Sequence, residues 1–197
     1  GDDRLVYERK DQKEWGFGAH MTDDSAYVIL GVWKGTSRKN GVFYKKVSKE
    51  EGSENEKFVE LLSKFDAKYR FLGNSGSDFY FHTDLDAPMG RIISIDVNEP
   101  ERSAWKELVP ESKEAIQDAR LLGGHFVVEY LSDARSVVKV FALSGSPKTT
   151  LTLPGLGSVS ALSGKATETE FFFRFSSFAH PPTIFRYDLA DDKLSVF

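Results

Sequence analysis

Val42-Phe43-Tyr44-Lys45-Lys46-Val47 has three counterparts further along the chain: Arg91-Ile92-Ile93-Ser94-Ile95-Asp96-Val97, Val137-Val138-Lys139-Val140-Phe141-Ala142-Leu143 and Thr183-Ile184-Phe185-Arg186-Tyr187-Asp188-Leu189. Between the matched positions Val47, Val97, Leu143 and Leu189 the spacings are 50, 46 and 46 residues. A unit of that length, repeated end to end, fits a four-stranded propeller blade, which cannot bury both of its faces alone and so stacks on its neighbours. The chain reads as an all-β fold of about four four-stranded antiparallel blades.

Three further strand candidates surround each marker. The first blade takes 15–21, 27–33, 42–47 and 57–62; the second 67–73, 78–83, 91–97 and 105–109; the third 116–122, 125–131, 137–143 and 149–153; the fourth 158–163, 170–176, 183–189 and 194–197. The blades therefore span about 15–62, 67–109, 116–153 and 157–197, a partial propeller over 1–197. Turn chemistry separates the strands, as in Thr22-Asp23-Asp24-Ser25, Gly73-Asn74-Ser75-Gly76-Ser77 and Ser144-Gly145-Ser146-Pro147, where Gly, Asn, Asp and Pro supply the backbone conformations a hairpin needs.

Two segments also carry helical signals. Phe58, Leu61, Leu62 and Phe65 sit at i, i+3, i+4 and i+7, yet they fall in the slot of an outermost strand, which favours strand. Glu111 to Ala119 is rich in helix formers without Gly or Pro and lies in a connection between blades, where a short helical turn fits.

With 197 residues, 40% hydrophobic and 13% aromatic, the chain can bury a sizeable core, and the repeat makes it one domain. Phe171-Phe172-Phe173-Arg174-Phe175 places apolar rings at successive positions. A sheet with one wet face would alternate, so this strand is expected to be sandwiched. A net charge of −4 with scattered basic residues argues against a nucleic-acid surface. No apolar run approaches the roughly 18 residues a membrane helix needs. The absence of cysteine excludes disulfides, thiol nucleophiles and thiolate metal sites but leaves cytoplasm and periplasm both open.

Catalytic signals are sparse. The G-x-S-x-G turn that lifts a serine above an α/β-hydrolase sheet does not occur, and Gly73-Asn74-Ser75-Gly76 and Gly157-Ser158-Val159-Ser160 read as hairpin turns. His20, His82, His125 and His180 are far apart, without the i, i+2 or i, i+4 pairs that build zinc sites. Asp84 and Asp86 lack the alternating acceptors and glycine of a calcium loop. No catalytic residue, cofactor or metal is expected.

Several stretches resemble the propeller of prolyl oligopeptidases. Glu14-Trp15-Gly16-Phe17-Gly18-Ala19, then Thr22-Asp23-Asp24-Ser25-Ala26-Tyr27-Val28-Ile29-Leu30, then Gly35-Thr36 and Asn40 before Phe43-Tyr44, is similar to that family's tryptophan, glycine, S-D-D-G-x-Y and apolar strand. Phe79-Tyr80-Phe81-His82-Thr83-Asp84 with Ala87-Pro88 and Arg91-Ile92-Ile93-Ser94-Ile95-Asp96 looks like its F-x-F-x-T-[ND], [AS]-P-x-x-R-[LV] and I-D. Trp105-Lys106-Glu107-Leu108-Val109-Pro110-Glu111 matches W-K-x-L-V-P-E, and Glu170 to Phe178 followed by Pro181 is similar to F-x-x-F-x-S-F-x-x-P.

The resemblance, spanning nearly the whole chain, implies the later part of a seven-bladed ring, about blades four to seven. The chain begins in what reads as a strand-and-loop approach to a blade, Arg4 to Lys10, and stops on a strand at Phe197, so both ends read as cuts through a larger protein; the resemblance implies that the α/β-hydrolase domain that cuts short peptides after proline lies beyond Phe197 and is absent here. This portion would then gate substrate without being catalytic itself, its partners being that hydrolase domain and short proline-containing peptides. The family positions that face the substrate cavity match Gly16, Trp33 and Thr36, with Phe17 beside them; methionine, arginine and cysteine occupy the first three in vertebrate-type members, so subsite preference does not carry over. Trp33 fits packing against an apolar or aromatic peptide residue, and equally fits space-filling at a blade end. The alternative is an independent peptide- or protein-binding half propeller that completes its ring by self-association through open blade edges.

Overall fold

The computed structural model describes residues 5–48 and 57–197. Among them, sixteen strands form four antiparallel sheets of four strands each. The first holds β1 (Trp15–Met21), β2 (Tyr27–Lys34), β3 (Asn40–Lys46) and β4 (Val59–Leu62); the second β5 (Tyr69–Ser75), β6 (Asp78–Thr83), β7 (Arg91–Asp96) and β8 (Lys106–Val109). The third holds β9 (Ala115–Leu122), β10 (His125–Ser132), β11 (Arg135–Ala142) and β12 (Pro147–Thr150); the fourth β13 (Ser158–Gly164), β14 (Glu170–Ser177), β15 (His180–Asp188) and β16 (Lys193–Val196). Each sheet is a meander in which every strand pairs with its sequence neighbour, the arrangement of propeller blades. The chain divides into two compact units, 1–71 and 72–197, with the boundary inside β5.

In the first unit, one face of the β1–β4 sheet carries Leu30, Val32 and Phe43, and Tyr7, Trp15, Phe17, Phe58 and Phe65 pack against them. Tyr7 inserts its ring among Phe17 (5.3 Å), Phe58 (5.4 Å) and Phe43 (6.2 Å), edge to face in each case, the geometry aromatic quadrupoles favour. Arg9 lies over Trp15 and spans Asp11 and Glu60, both at 2.9 Å, tying the segment before β1 to the outermost strand. The helix-like period at Phe58 to Phe65 gives strand β4, because the free edge of β3 takes up Val59 and Leu62 in its ladder. Phe65 then leaves in the left-handed region (φ 52°).

In the second unit, β10 shows what sandwiching means. Phe126, Val128 and Tyr130 join Tyr80, Ile92 and Val109 in one core, while Val127, one residue out of phase, joins Val138, Val140, Phe171, Phe173 and Phe175 in another. Alternate side chains of a strand leave on opposite faces, so one strand feeds two cores. β14 differs from the expectation: Phe171, Phe173 and Phe175 are fully buried, but Phe172 is half-buried against Phe197 (5.0 Å) and Arg174 is exposed. Its burial alternates, so only one face is packed. Nor does 111–119 form a helical turn: from Ala115 onward the ladder with β10 claims it, and the short 3-10 turn sits at Arg102–Ala104 instead.

A buried polar tie crosses between the third and fourth sheets. Ser136 Oγ donates to Glu129 Oε1 (2.5 Å) and accepts from Val159 N (2.8 Å), while Ser136 N donates to Gly157 O (2.9 Å). Burial pushes the Glu129 carboxyl above the usual carboxylate range, the Ser136 hydrogen bond pulls it the other way, and Asp118, directly across on β9, adds to the rise. A β-bulge at Glu129/Tyr130 leaves Gln117 as the extra residue on β9.

Candidate functional site

The expected cavity residues lie where β1 pairs with β2. Gly16 stands opposite Trp33, Gly18 opposite Gly31 and His20 opposite Ile29; directly paired residues of an antiparallel ladder share a face. The Trp33 indole lies along β1. A Cβ on Gly16 would fall within the contact radius of Trp33 Nε1 and Cε2, with Cζ2 at 2.6 Å, whereas one on Gly18 would meet Cζ3 at an ordinary 3.4 Å. The five-membered side of the ring therefore sits over Gly16 and the far edge over Gly18. The side chain remains 43% exposed.

Both flanks of Trp33 are held. On one side, Lys34 points to the opposite face and places its ammonium 3.9 Å from the Phe65 ring and 5.1 Å from Trp15, within cation–π range. Across on β3, Asn40 pairs with Trp33 and is fixed by two main-chain bonds, its Oδ1 accepting from Tyr69 N (2.7 Å) and its Nδ2 donating to Tyr69 O (2.9 Å).

Gly16 and Trp33 are thus brought together. Thr36 is exposed in the turn after β2, where Gly35 takes a positive φ of 49°. Phe17 is directed to the other face, in the aromatic core with Tyr7 and Trp15, and does not share the surface of Gly16 and Trp33. Sequence reasoning passed over Gly18 and Asn40; the signal for Gly18 was its period-two spacing from Gly16, which puts both on the indole's face.

The histidines are dispersed on four strands. His20 shares the glycine face with its ring 5.8 Å from Phe71, and burial lowers its pKa while Asp23 opposes the shift. His180 meets Phe175 edge to face and lies tilted against Phe185, and His125 donates from Nδ1 to Gly123 O (2.6 Å). Ser75 ends β5, and Ser158 starts β13 paired with Ser176, so Gly157 to Ser160 forms a strand start and not the hairpin turn expected. Among the described residues no group of three His, Cys, Asp or Glu side chains is placed to hold a metal. What the β1–β2 surface offers is shape: a half-exposed indole on a bare stretch of strand.

Comparison with known proteins assigns the lineage. The family described as prolyl oligopeptidase, N-terminal beta-propeller domain, matches residues 1–197. A prolyl endopeptidase of Elizabethkingia meningoseptica is 28% identical over 180 residues, 91% of this chain and 24% of the relative. Prolyl oligopeptidase A of Amanita bisporigera is 30% identical over 190 residues, 95% of this chain and 25% of the relative. Among solved structures, prolyl oligopeptidase B from Galerina marginata bound to a 25mer macrocyclization substrate superposes with a TM-score of 0.89 at 27% identity, covering 99% of this chain and 27% of that one. The chain spans about a quarter of the length of the curated relatives it matches. With four meander sheets and a full-length match, the chain belongs to the N-terminal β-propeller domain family of prolyl oligopeptidases.

Proposed function

We propose that this chain is the substrate-gating propeller portion of a proline-specific serine endopeptidase, the later blades of a seven-bladed ring over an α/β-hydrolase domain that cleaves short peptides after proline. The observation that carries this reading is the match of residues 1–197 to the propeller domain of that family. The chain itself has no G-x-S-x-G turn, so the cutting serine belongs to the hydrolase part. A wall of blades selects by size: folded proteins are kept out and flexible chains pass. The Galerina marginata relative has been solved bound to 25mer and 35mer substrates, which supports the reading that flexible peptides pass such a wall. Gly16, Trp33 and Thr36 are the residues of this chain that would face the peptide, Phe17 serving the core behind them.

The test is a chromogenic Gly-Pro substrate offered to these 197 residues alone and to the same residues joined to the hydrolase domain. Turnover appears only in the joined protein. Serine-inhibitor-sensitive turnover by the propeller portion alone would overturn the proposal.

A second reading, self-association of a half propeller, draws on the apolar side chains exposed on the fourth sheet, Ile184, Val196 and Phe197. Light scattering at micromolar concentration separates the two, since a well-folded monomer counts against self-association.

A further inference from the structure

We propose that the seam between the third and fourth sheets is a pH-responsive joint whose two ends answer acid in opposite senses: the His125 end loosens as pH falls, and the Glu129 end loosens as pH rises. The inference stands on the geometry of the seam and does not need the gating reading.

β10 turns His125, Val127 and Glu129 to one face, because alternate residues of a strand share a side. Val127 lies in the core that holds Val159, Phe171, Phe173 and Phe175 of the fourth sheet, so this is the face laid against that sheet. A buried apolar residue is therefore flanked, about 7 Å along the strand in each direction, by a titratable one.

At the His125 end the two sheets approach closely. Gly123 N donates to Lys165 O (2.9 Å), and a Cβ on Gly123 would strike Leu189 Cδ1 and Glu168 O. The imidazole gives its Nδ1 proton to Gly123 O (2.6 Å), which leaves the lone pair of the neutral ring on Nε2. That lone pair faces Lys148 Nζ at 3.5 Å, and the same ammonium donates across the seam to Leu189 O (2.9 Å). Protonating the ring removes the acceptor and sets a second cation against the ammonium, weakening its hold on Leu189. The other charges at this end have partners of their own: Lys165 pairs with Glu168 (3.3 Å), and Asp188 is held by Arg186, Ala190 N and Asp191 N. Lys148 is thus the charge that His125 answers.

The Glu129 end has the opposite sign. Asp118 on β9 is the charge facing it, with Arg120 Nε 3.3 Å from that carboxylate; β11 and β13 face it with Ser136 and Val159, which carry none. An ionised Glu129 is a charge buried in the seam, whereas the protonated form is neutral and hydrogen-bonded. The upward direction of its pKa agrees with this, so its contribution to docking is present below the ordinary carboxylate value and is lost as pH rises through the raised one. Acid therefore transfers the hold from one end of β10 to the other without dissolving the seam.

The experiment uses the full protein that carries this chain and follows hydrogen exchange at the Gly123 and Val159 amides, both of which bond across the seam. Protection factors, which take out the intrinsic pH dependence of exchange, are compared at pH 8 and pH 5. On acidification the protection of Gly123 falls by about three- to fivefold and that of Val159 rises about threefold. In His125→Gln, which keeps a neutral acceptor toward Lys148, the Gly123 response disappears and the Val159 response stays; in Glu129→Gln the reverse holds. Lys148→Met, which removes the ammonium, leaves Gly123 at its low acid-side protection at both pH values. Movement of both amides in the same direction, or survival of either response after its own titrating group is removed, overturns the proposal.

Discussion

Replacing Ser136 by alanine removes one oxygen and breaks two buried interactions at once. The Glu129 carboxylate loses its donor at 2.5 Å, and the Val159 amide loses its acceptor at 2.8 Å. A hydrogen bond to a charged group contributes about 1.5–3 kcal/mol, and a buried N–H left unpaired costs about 1–3 kcal/mol. The two overlap because both hang on one hydroxyl, so the expected loss is about 3 kcal/mol. For a protein of this size each kcal/mol lowers Tm by roughly 2–4 °C, giving a fall of about 6–12 °C. The loss is also local: β11 and β13 are joined here, so native-state hydrogen exchange should show the Val159 amide opening while amides of β6 and β7 keep their protection. In a Glu129→Gln background the same serine deletion should cost less, because no charge is stranded. A Tm within 2 °C of the wild type, or unaltered exchange at Val159, would show that this tie does not hold the third and fourth sheets together.

The folded state raises the Glu129 pKa, so this group favours folding below its ordinary value of 4.5 and that contribution is lost as pH rises through the raised value; Glu129→Gln should flatten this part of a stability-against-pH curve and be neutral or stabilising at pH 7. Asn40→Ala deletes both bonds to the Tyr69 main chain and should destabilise by about 2 kcal/mol, with Asn40→Asp, which keeps the acceptor, in between when measured by urea titration. Gly145→Ala forces a side chain into a positive φ of 85° with a Cβ 2.6 Å from the Leu108 carbonyl carbon, and a loss of at least about 2 kcal/mol is expected in thermal melts.

The four-sheet plan was readable because its signals are local. Asp78 to Thr83 and Arg91 to Val97 announce strands by composition, and the turn at Gly76-Ser77 announces the hairpin before β6. Misleading signals were those settled by partners distant in sequence. Glu111 to Ala119 has helical propensity, but pairing of β9 with β10 decides its state. The Phe171 to Phe175 run looked two-sided, yet whether Phe172 is covered depends on what packs there and not on the strand. For the site, alternation alone separates Phe17 from Gly16, whereas the seating of the indole needed the β1–β2 register, which fixes Gly16 opposite Trp33.

The sequential strand order has a consequence for how the chain is made. Every ladder closes between strands that are adjacent in sequence, so during translation each meander can assemble soon after it emerges, without waiting for distant segments. The slow, order-dependent events are then the dockings between finished meanders, where contacts such as Ser136 with Val159 and Gly157 form last. Synthesis from the amino end would lay down the third sheet before the fourth, so that Ser136 is in place when Gly157 and Val159 arrive.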